Sequence, residues 1–156
     1  MKTSPLQLLR YFVPEIACTA NKEFNVEKDV EVSMDQFQVL VELSRSEEEE
    51  EQNSWLLDMA VIQQIGPKQN FPYEFKLNIV GIFSCKKELP NGIDEERFVK
   101  VNGASILYGV AREIVRSTTA NGPWSELIVP TVSFFEPPTE TETGKATSAT
   151  PSHSTP

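Results

Sequence analysis

The stretch Asn102–Phe134, NGASILYGVAREIVRSTTANGPWSELIVPTVSF, decides the fold. Ile106, Leu107, Val110, Ala111, Ile114 and Val115 recur at i, i+1, i+4, i+5, i+8 and i+9, the spacing of one helical face. Arg112, Glu113, Arg116 and Ser117 fall on the opposite side. Asn121-Gly122-Pro123 then joins a pair suited to a left-handed C-cap to a proline that cannot continue the helix. SELIVPTVSFFEPP, from Ser125 to Pro138, follows as an extended apolar segment and reads as a buried strand. A helix with one apolar stripe must lie on something, and the residues upstream supply it.

Those residues have period two, the pattern of half-buried strands. In DQFQVLVELS, Phe37, Val39, Val41 and Leu43 share a face, with Gln36, Gln38, Leu40 and Glu42 on the other. In the next run Trp55, Leu57, Met59 and Val61 alternate with Leu56, Ala60 and Ile62. In the third, Phe75, Leu77, Ile79 and Gly81 alternate with Lys76, Asn78, Val80 and Ile82. Gly81 implies a bulge or a close backbone approach. Leu6–Ala20 is also extended, with Tyr11, Val13, Glu15 and Ala17 on one side and Phe12, Ile16 and Cys18 on the other. Pro14 cannot donate to a ladder, so this strand lies at an edge or carries a bulge. Short polar connections favour antiparallel pairing. Asp94, Glu95 and Glu96 suit the first turn of a short helix ahead of the long one. The expected class is therefore α+β: a four-stranded antiparallel sheet with one long and one short helix on one face.

The chain of 156 residues fits one domain, over 1–136. From 137 to 156 the composition turns to Thr, Ser, Pro, Glu, Ala and Gly, with no aromatic and no aliphatic larger than alanine. Such a segment cannot offset its ordering entropy by burial, and it reads as a disordered tail. Its removal is expected to leave function intact. Glu47–Glu51 are five successive acids, which repel one another and suit a solvated connection.

Composition excludes several functions. A net charge of −9 argues against nucleic acid, whose phosphates require a basic surface, and favours basic or apolar polypeptide partners. The two cysteines, Cys18 and Cys85, are too few for a disulfide scaffold and belong to no metal-type cluster. They read as small apolar residues of a reduced, cytoplasmic protein. The single histidine, His153, lies in the tail, which weakens any case for zinc or imidazole chemistry. The N-terminal run is broken by Gln7, Arg10, Pro14 and Glu15 and fails as a signal peptide. No apolar run approaches the roughly 18 residues of a membrane span. The G-x-S-x-G, Walker and dinucleotide fingerprints are missing. Gly103 and Ser105 read as part of a plain helix N-terminus rather than a phosphate loop. No metal and no cofactor is expected. Trp55 and Trp124 read as core anchors.

What remains is apolar contact. One long and one short helix cover one face of such a sheet. Leu40, Leu56, Ala60, Ile62, Val80 and Ile82 then lie on the second face, which needs cover from another subunit or a bound polypeptide.

The segment GASILYGVAREIVRSTTANGPWSELIVPTVSF resembles the signature of the SecB export-chaperone family. In that family the helix N-I-L-F-P-Y-A-R-E leads to T-x-x-G-x-x-x-L-x-L-x-P and then V-N-F. Ile106, Leu107, Ala111, Arg112, Glu113, Ile114, Gly122, Leu127, Pro130, Val132 and Phe134 fall in register with it. VGIFSC at 80–85 resembles the family's Gly-Ile-Phe strand, and the likeness covers roughly Leu6 to Phe134. The resemblance implies a SecB-like sheet with helices on one face, assembled as a dimer of dimers. It implies an ATP-independent chaperone that holds unfolded polypeptides or preproteins and delivers them to the SecA translocase. The chain departs from the family in three ways. Gly109 stands where the helix has proline. Of the acids that meet SecA, Glu15 matches one, whereas Thr19 and Lys76 stand at two others, and lysine reverses the sign of that contact. The long C-terminal helix has no counterpart. Shorter relatives serve dedicated clients, including antitoxins of toxin–antitoxin systems.

The expected client contacts are Phe12, Ile16, Leu40, Leu56, Ile62, Val80 and Ile82, and Glu15 is expected to face SecA. Ile106, Leu107, Val110 and Ile114 are expected in the core and the dimer seam. The alternatives are a dedicated holder of one client such as an antitoxin, and a small carboxylate enzyme with two acids in a deep polar cleft.

Overall fold

The period-two segments form four strands and the 3.6-period segment forms one helix. In chain order these are β1 (Leu6–Ala20), β2 (Phe37–Arg45), β3 (Ser54–Gln63), β4 (Tyr73–Cys85) and α1 (Glu95–Thr119). The computed structural model describes residues 3–30, 35–45, 54–86, 89 and 92–135. The acidic run Glu47–Glu51 and the tail lie outside the described residues. All neighbouring strands are antiparallel, in the order β1-β4-β3-β2. The sheet is the expected one.

Among the described residues the helices are not two but one. Asp94 caps α1, its side chain accepting from Arg97 N at 2.8 Å, and Glu95 and Glu96 occupy the first turn. The acids marked a start correctly, but nothing between them and the apolar stripe breaks the helix. Gly103 and Ser105 therefore lie in mid-helix, where no amide terminus is available. The C-terminus also differs. Ala120 is the C-cap, in right-handed conformation, and Gly122 has no positive φ. Gly122 is required sterically instead: a Cβ there would come within 2.5 Å of Tyr73 Oη.

The buried side of α1 runs through Val99, Gly103, Ala104, Leu107, Tyr108, Ala111, Val115 and Thr119. It rests on β4, β3 and β1. Beneath it are Leu57, Met59, Val61, Leu77, Ile79 and Phe83, each sealed from solvent. Two glycines let helix and sheet approach. A Cβ on Gly103 would lie 3.1 Å from Leu57 Cδ1, and one on Gly81 would lie 2.8 Å from the Phe83 ring and 3.1 Å from Leu107. Gly81 thus serves the close approach that its place in a strand implied.

In β1 the pairing register shifts between Leu8 and Arg10 and again between Phe12 and Glu15, around Pro14. Each shift moves the alternation by one residue. Phe12, Glu15 and Ala17 pair with Val80, Asn78 and Lys76, on the face away from α1. Tyr11, Ile16 and Cys18 pair with Gly81, Leu77 and Phe75, on the helix face. Simple alternation had put Ile16 beside Phe12, and the second shift separates them.

The segment after α1 is extended and apolar but joins no ladder. It runs back along the helix, and side chains of α1 satisfy its backbone, so it needs no strand neighbour. Leu127 N donates to Thr119 Oγ1 (2.8 Å), Arg112 Nε to Val129 O (2.9 Å) and Tyr108 Oη to Pro130 O (2.5 Å). Leu127 and Val129 enter the core, and Phe134 meets the Tyr108 ring edge-on at 5.7 Å. Tyr73 Oη ties the turn together, accepting from Trp124 N (3.0 Å) beside the Thr119 and Trp124 carbonyls. Trp124 Nε1 donates to Asn21 O, and Phe24 stacks edge-on against its ring. Trp124 thus pins the β1–β2 connection.

On the outer face of α1, Arg116 grips Glu113 and Glu126, each at 2.7 Å. The bonds from Arg116 and Ser117 hold the Glu113 carboxyl down at about 2, from an ordinary 4.5. A depressed acid pKa stabilises the fold above the unfolded value, and that contribution is lost as pH falls through the folded value. Glu113→Gln should therefore flatten the acid limb of the melting-temperature profile between about pH 4.5 and about 2. Because the pair is exposed, the change should be small. Thermal melts of both proteins across that window test this, and an unchanged slope would refute the coupling.

Candidate functional site

The register builds the uncovered face row by row. Across β1, β4, β3 and β2, one row is Arg10, Ile82, Leu56 and Ser44. The next is Phe12, Val80, Asp58 and Glu42. Glu15, Asn78, Ala60 and Leu40 follow, and then Ala17, Lys76, Ile62 and Gln38. The face is a mosaic in which each row mixes apolar and polar groups.

Its apolar members differ in what they offer. Phe12 and Leu40 are 48% and 55% exposed, and Leu56 and Ile62 are half-buried. Val80 and Ile82 are only 5% and 4% exposed. Both lie on this face in register, but they form its floor between their cross-strand neighbours. Ile16 is exposed on the opposite face. The structure therefore brings Phe12, Leu40, Leu56, Ile62, Val80 and Ile82 onto one surface and leaves Ile16 apart.

Glu15 also lies on this face, but it is not a free acid. Lys76 Nζ is 2.8 Å from its Oε2, and Asn78 Nδ2 donates to the same oxygen at 3.4 Å. Lys76 neutralises the carboxylate beside it. Glu42 and Asp58 are directly opposed across β2 and β3, both exposed, with no ion-pair partner among the described residues. Like charges placed so repel each other.

Of the helix residues, Leu107 is in the core, Val110 and Ile114 are half-buried against it, and Ile106 is 39% exposed. The seat of α1 is rotated from the expected stripe towards Gly103, Ala104 and Tyr108. Glycine, alanine and tyrosine at these positions weaken the apolar signal that would have located it.

One feature was hidden from the sequence. Val39, Val41 and Leu43 face the helix side, yet they are only half-buried, because α1 rests on the other three strands. Width explains it: a helix is about 10 Å across with its side chains and strands are about 4.8 Å apart, so one helix cannot roof four strands. At the end of this ledge Arg45 lies 4.0 Å over the Trp55 ring and 3.6 Å from Glu95, which also accepts from Trp55 Nε1. Trp55 is thereby fixed in the core, and Arg45 is engaged.

Burial raises the pKa of both Cys18 and Cys85, which keeps the thiols protonated. Among the described residues no three His, Cys, Asp or Glu side chains group as metal ligands would. No helix among them is long and apolar enough to cross a membrane. The opposed acids Glu42 and Asp58 stand exposed on a sheet face, not in a deep cleft.

No protein-family model matches the chain, and no curated protein does. Solved structures do. The SecB-like chaperone Rv1957 of Mycobacterium tuberculosis, in complex with a ChAD peptide from the HigA1 antitoxin Rv1956, superposes with a TM-score of 0.57 at 12% identity. The match covers 84% of this chain and 93% of that one. A protein of unknown function from Streptococcus agalactiae superposes with a TM-score of 0.54 at 13% identity, over 81% and 97% of the two chains. The chain has a SecB-like fold.

Proposed function

We propose that this protein is an ATP-independent chaperone that holds non-native polypeptide segments. The observation carrying this reading is the uncovered sheet face, where Phe12, Leu40, Leu56 and Ile62 stay accessible on a SecB-like fold. The peptide bound to the Mycobacterium tuberculosis chaperone supports a polypeptide as the occupant. Val80 and Ile82 shape the floor, and Phe12, Leu40, Leu56 and Ile62 make the contact. Ile16 serves the opposite face, with Ile106, Val110 and Ile114, in assembly into a dimer of dimers. The protein works in the cytoplasm and needs no cofactor.

Two specific observations favour a dedicated client over general export. The neighbour of similar fold carries an antitoxin peptide, and Lys76 cancels the charge of Glu15, the one acid matched to SecA docking. Preprotein delivery to SecA is the broader alternative. Pull-down separates the two: one dominant client supports the dedicated role, and many precursors together with SecA support export.

The function itself is tested by diluting a chemically unfolded protein into buffer with and without the chain, in the absence of nucleotide, and following light scattering. Suppressed aggregation is expected. Aggregation unchanged at molar excess refutes the proposal. Assembly is tested by light scattering of the chaperone alone, where a monomer peak near 17.5 kDa would exclude the oligomer.

A further inference from the structure

β1 and β2 are the two edges of the sheet, so the connection between them must span its width. Within that connection residues 21–30 contain no buried residue, and Val26 and Val30 are 71% and 50% exposed. Their order comes instead from two successive turns, each headed by an asparagine. Asn21 O and Asn25 O accept from Phe24 N and Lys28 N, and the same two side chains accept from Glu23 N and Glu27 N. Two points tie these turns to the rest of the chain. At one end Asn21 donates from N to Pro72 O and from Nδ2 to Phe71 O, while Trp124 donates to Asn21 O and its ring meets Phe24. At the other end Asn70 closes over the second turn. Its Oδ1 accepts from Asn25 N at 2.9 Å, and its Nδ2 lies 3.0, 3.2 and 3.1 Å from the carbonyl oxygens of Asn25, Lys28 and Asp29.

We propose that residues 21–30 are a strap that opens and closes as one unit while the sheet and α1 stay folded, with Asn70 as its clasp. A segment held by exposed hydrogen bonds and little apolar burial opens at far lower cost than a core. β4 is the opposite case, with Leu77, Ile79 and Phe83 sealed from solvent. The turn that presents Asn70 favours opening as well. Lys68 stands there at φ 67°, a left-handed conformation unfavourable for a residue with a Cβ. Releasing Asn70 removes one constraint on that turn. The two tie points act together because the first turn runs straight into the second at Phe24-Asn25, so neither swings out alone. What the strap controls is access to Trp124. Closed, it caps the indole ring with Phe24 and accepts from Nε1; open, it frees both, at a cost set by the clasp and not by the global stability. This holds independently of what the chain binds.

Hydrogen exchange of the full chain tests this, with mass spectrometry for the backbone amides and isotope-labelled tryptophan for the indole groups. The amides of Glu23, Phe24, Asn25 and Lys28 should exchange together, at least about a hundredfold faster than those of β4. Asn70→Ala should speed all four, and Trp124 Nε1 at the far end, by at least about tenfold, since it removes the bonds of the clasp. Trp55 Nε1, which donates to Glu95, and the β4 amides should keep their rates. Phe24→Ala releases the other end and should speed Asn25 and Lys28 by a similar factor. A rise confined to the second turn in Asn70→Ala is local fraying and overturns the strap. Exchange of these amides at the β4 rate in the parent overturns it as well. So does an equal rise at β4 and Trp55 Nε1 in both variants, because the connection then opens only with the whole fold.

Discussion

Leu57→Ala will lower the unfolding free energy by about 3–5 kcal/mol, near the upper end for a buried leucine. Leu57 is fully buried at the centre of β3. What sets the magnitude is whether neighbours can collapse into the space, and here they cannot. Its partner across β4 is Gly81, and the helix residue above it is Gly103, whose Cβ would lie 3.1 Å from Leu57 Cδ1. Neither has a side chain to move. Urea unfolding followed by tryptophan fluorescence measures the loss. Adding Gly103→Ala to Leu57→Ala should recover part of it, because the new methyl enters the space the leucine leaves. In the parent protein the same glycine substitution should destabilise, because there the methyl crowds Leu57 at less than ordinary contact distance. A loss below about 1 kcal/mol for Leu57→Ala would mean that α1 and the sheet do not meet at these two glycines.

The strands and the helix were legible because burial here follows period. β2, β3 and β4 are regular, and their alternating apolar residues point where the pattern says. β1 was less legible. Pro14 signalled an edge or a bulge but not which way the alternation moves, so the shift between Phe12 and Glu15 left Ile16 assigned to the wrong face while Phe12 was placed correctly. The helix stripe was displaced for a different reason. Gly103 and Ala104 lie on the buried side of α1, and small residues carry little hydrophobic signal. Asn121-Gly122-Pro123 marked the helix end at the right place with the wrong mechanism, since glycine is needed there to clear Tyr73. The C-terminal segment looks like a strand in composition, and only the side-chain bonds from Tyr108, Arg112 and Thr119 reveal that it pairs with a helix. The ledge on β2 is a property of width, and no local pattern records how far a helix extends sideways.

Phe12→Ser combined with Leu40→Ser should weaken client holding about tenfold and lower the melting temperature by only several degrees, leaving the protein folded in the assay. Each side chain is about half in water in the free protein, so folding draws on one half and holding on the other, and holding is read well below the melting temperature of the variant. Covering the exposed half of each in a complex is worth about 0.7–1.5 kcal/mol, half the value for full burial of a large apolar side chain. Two such losses amount to about a factor of ten or more in affinity. Phe12 lies on β1 and Leu40 on β2, at opposite margins of the uncovered face, so the pair also asks whether a guest spans the sheet. Aggregation suppression by the double variant, titrated against the parent, is the measurement. Ile16→Ser is the control: equally exposed but on the helix face, it should leave holding by the sheet face unchanged in the same titration. If Ile16→Ser abolishes holding with its oligomer intact by light scattering, and the double substitution does not, guests occupy the helix side, and the apolar members of the sheet face are only its packing.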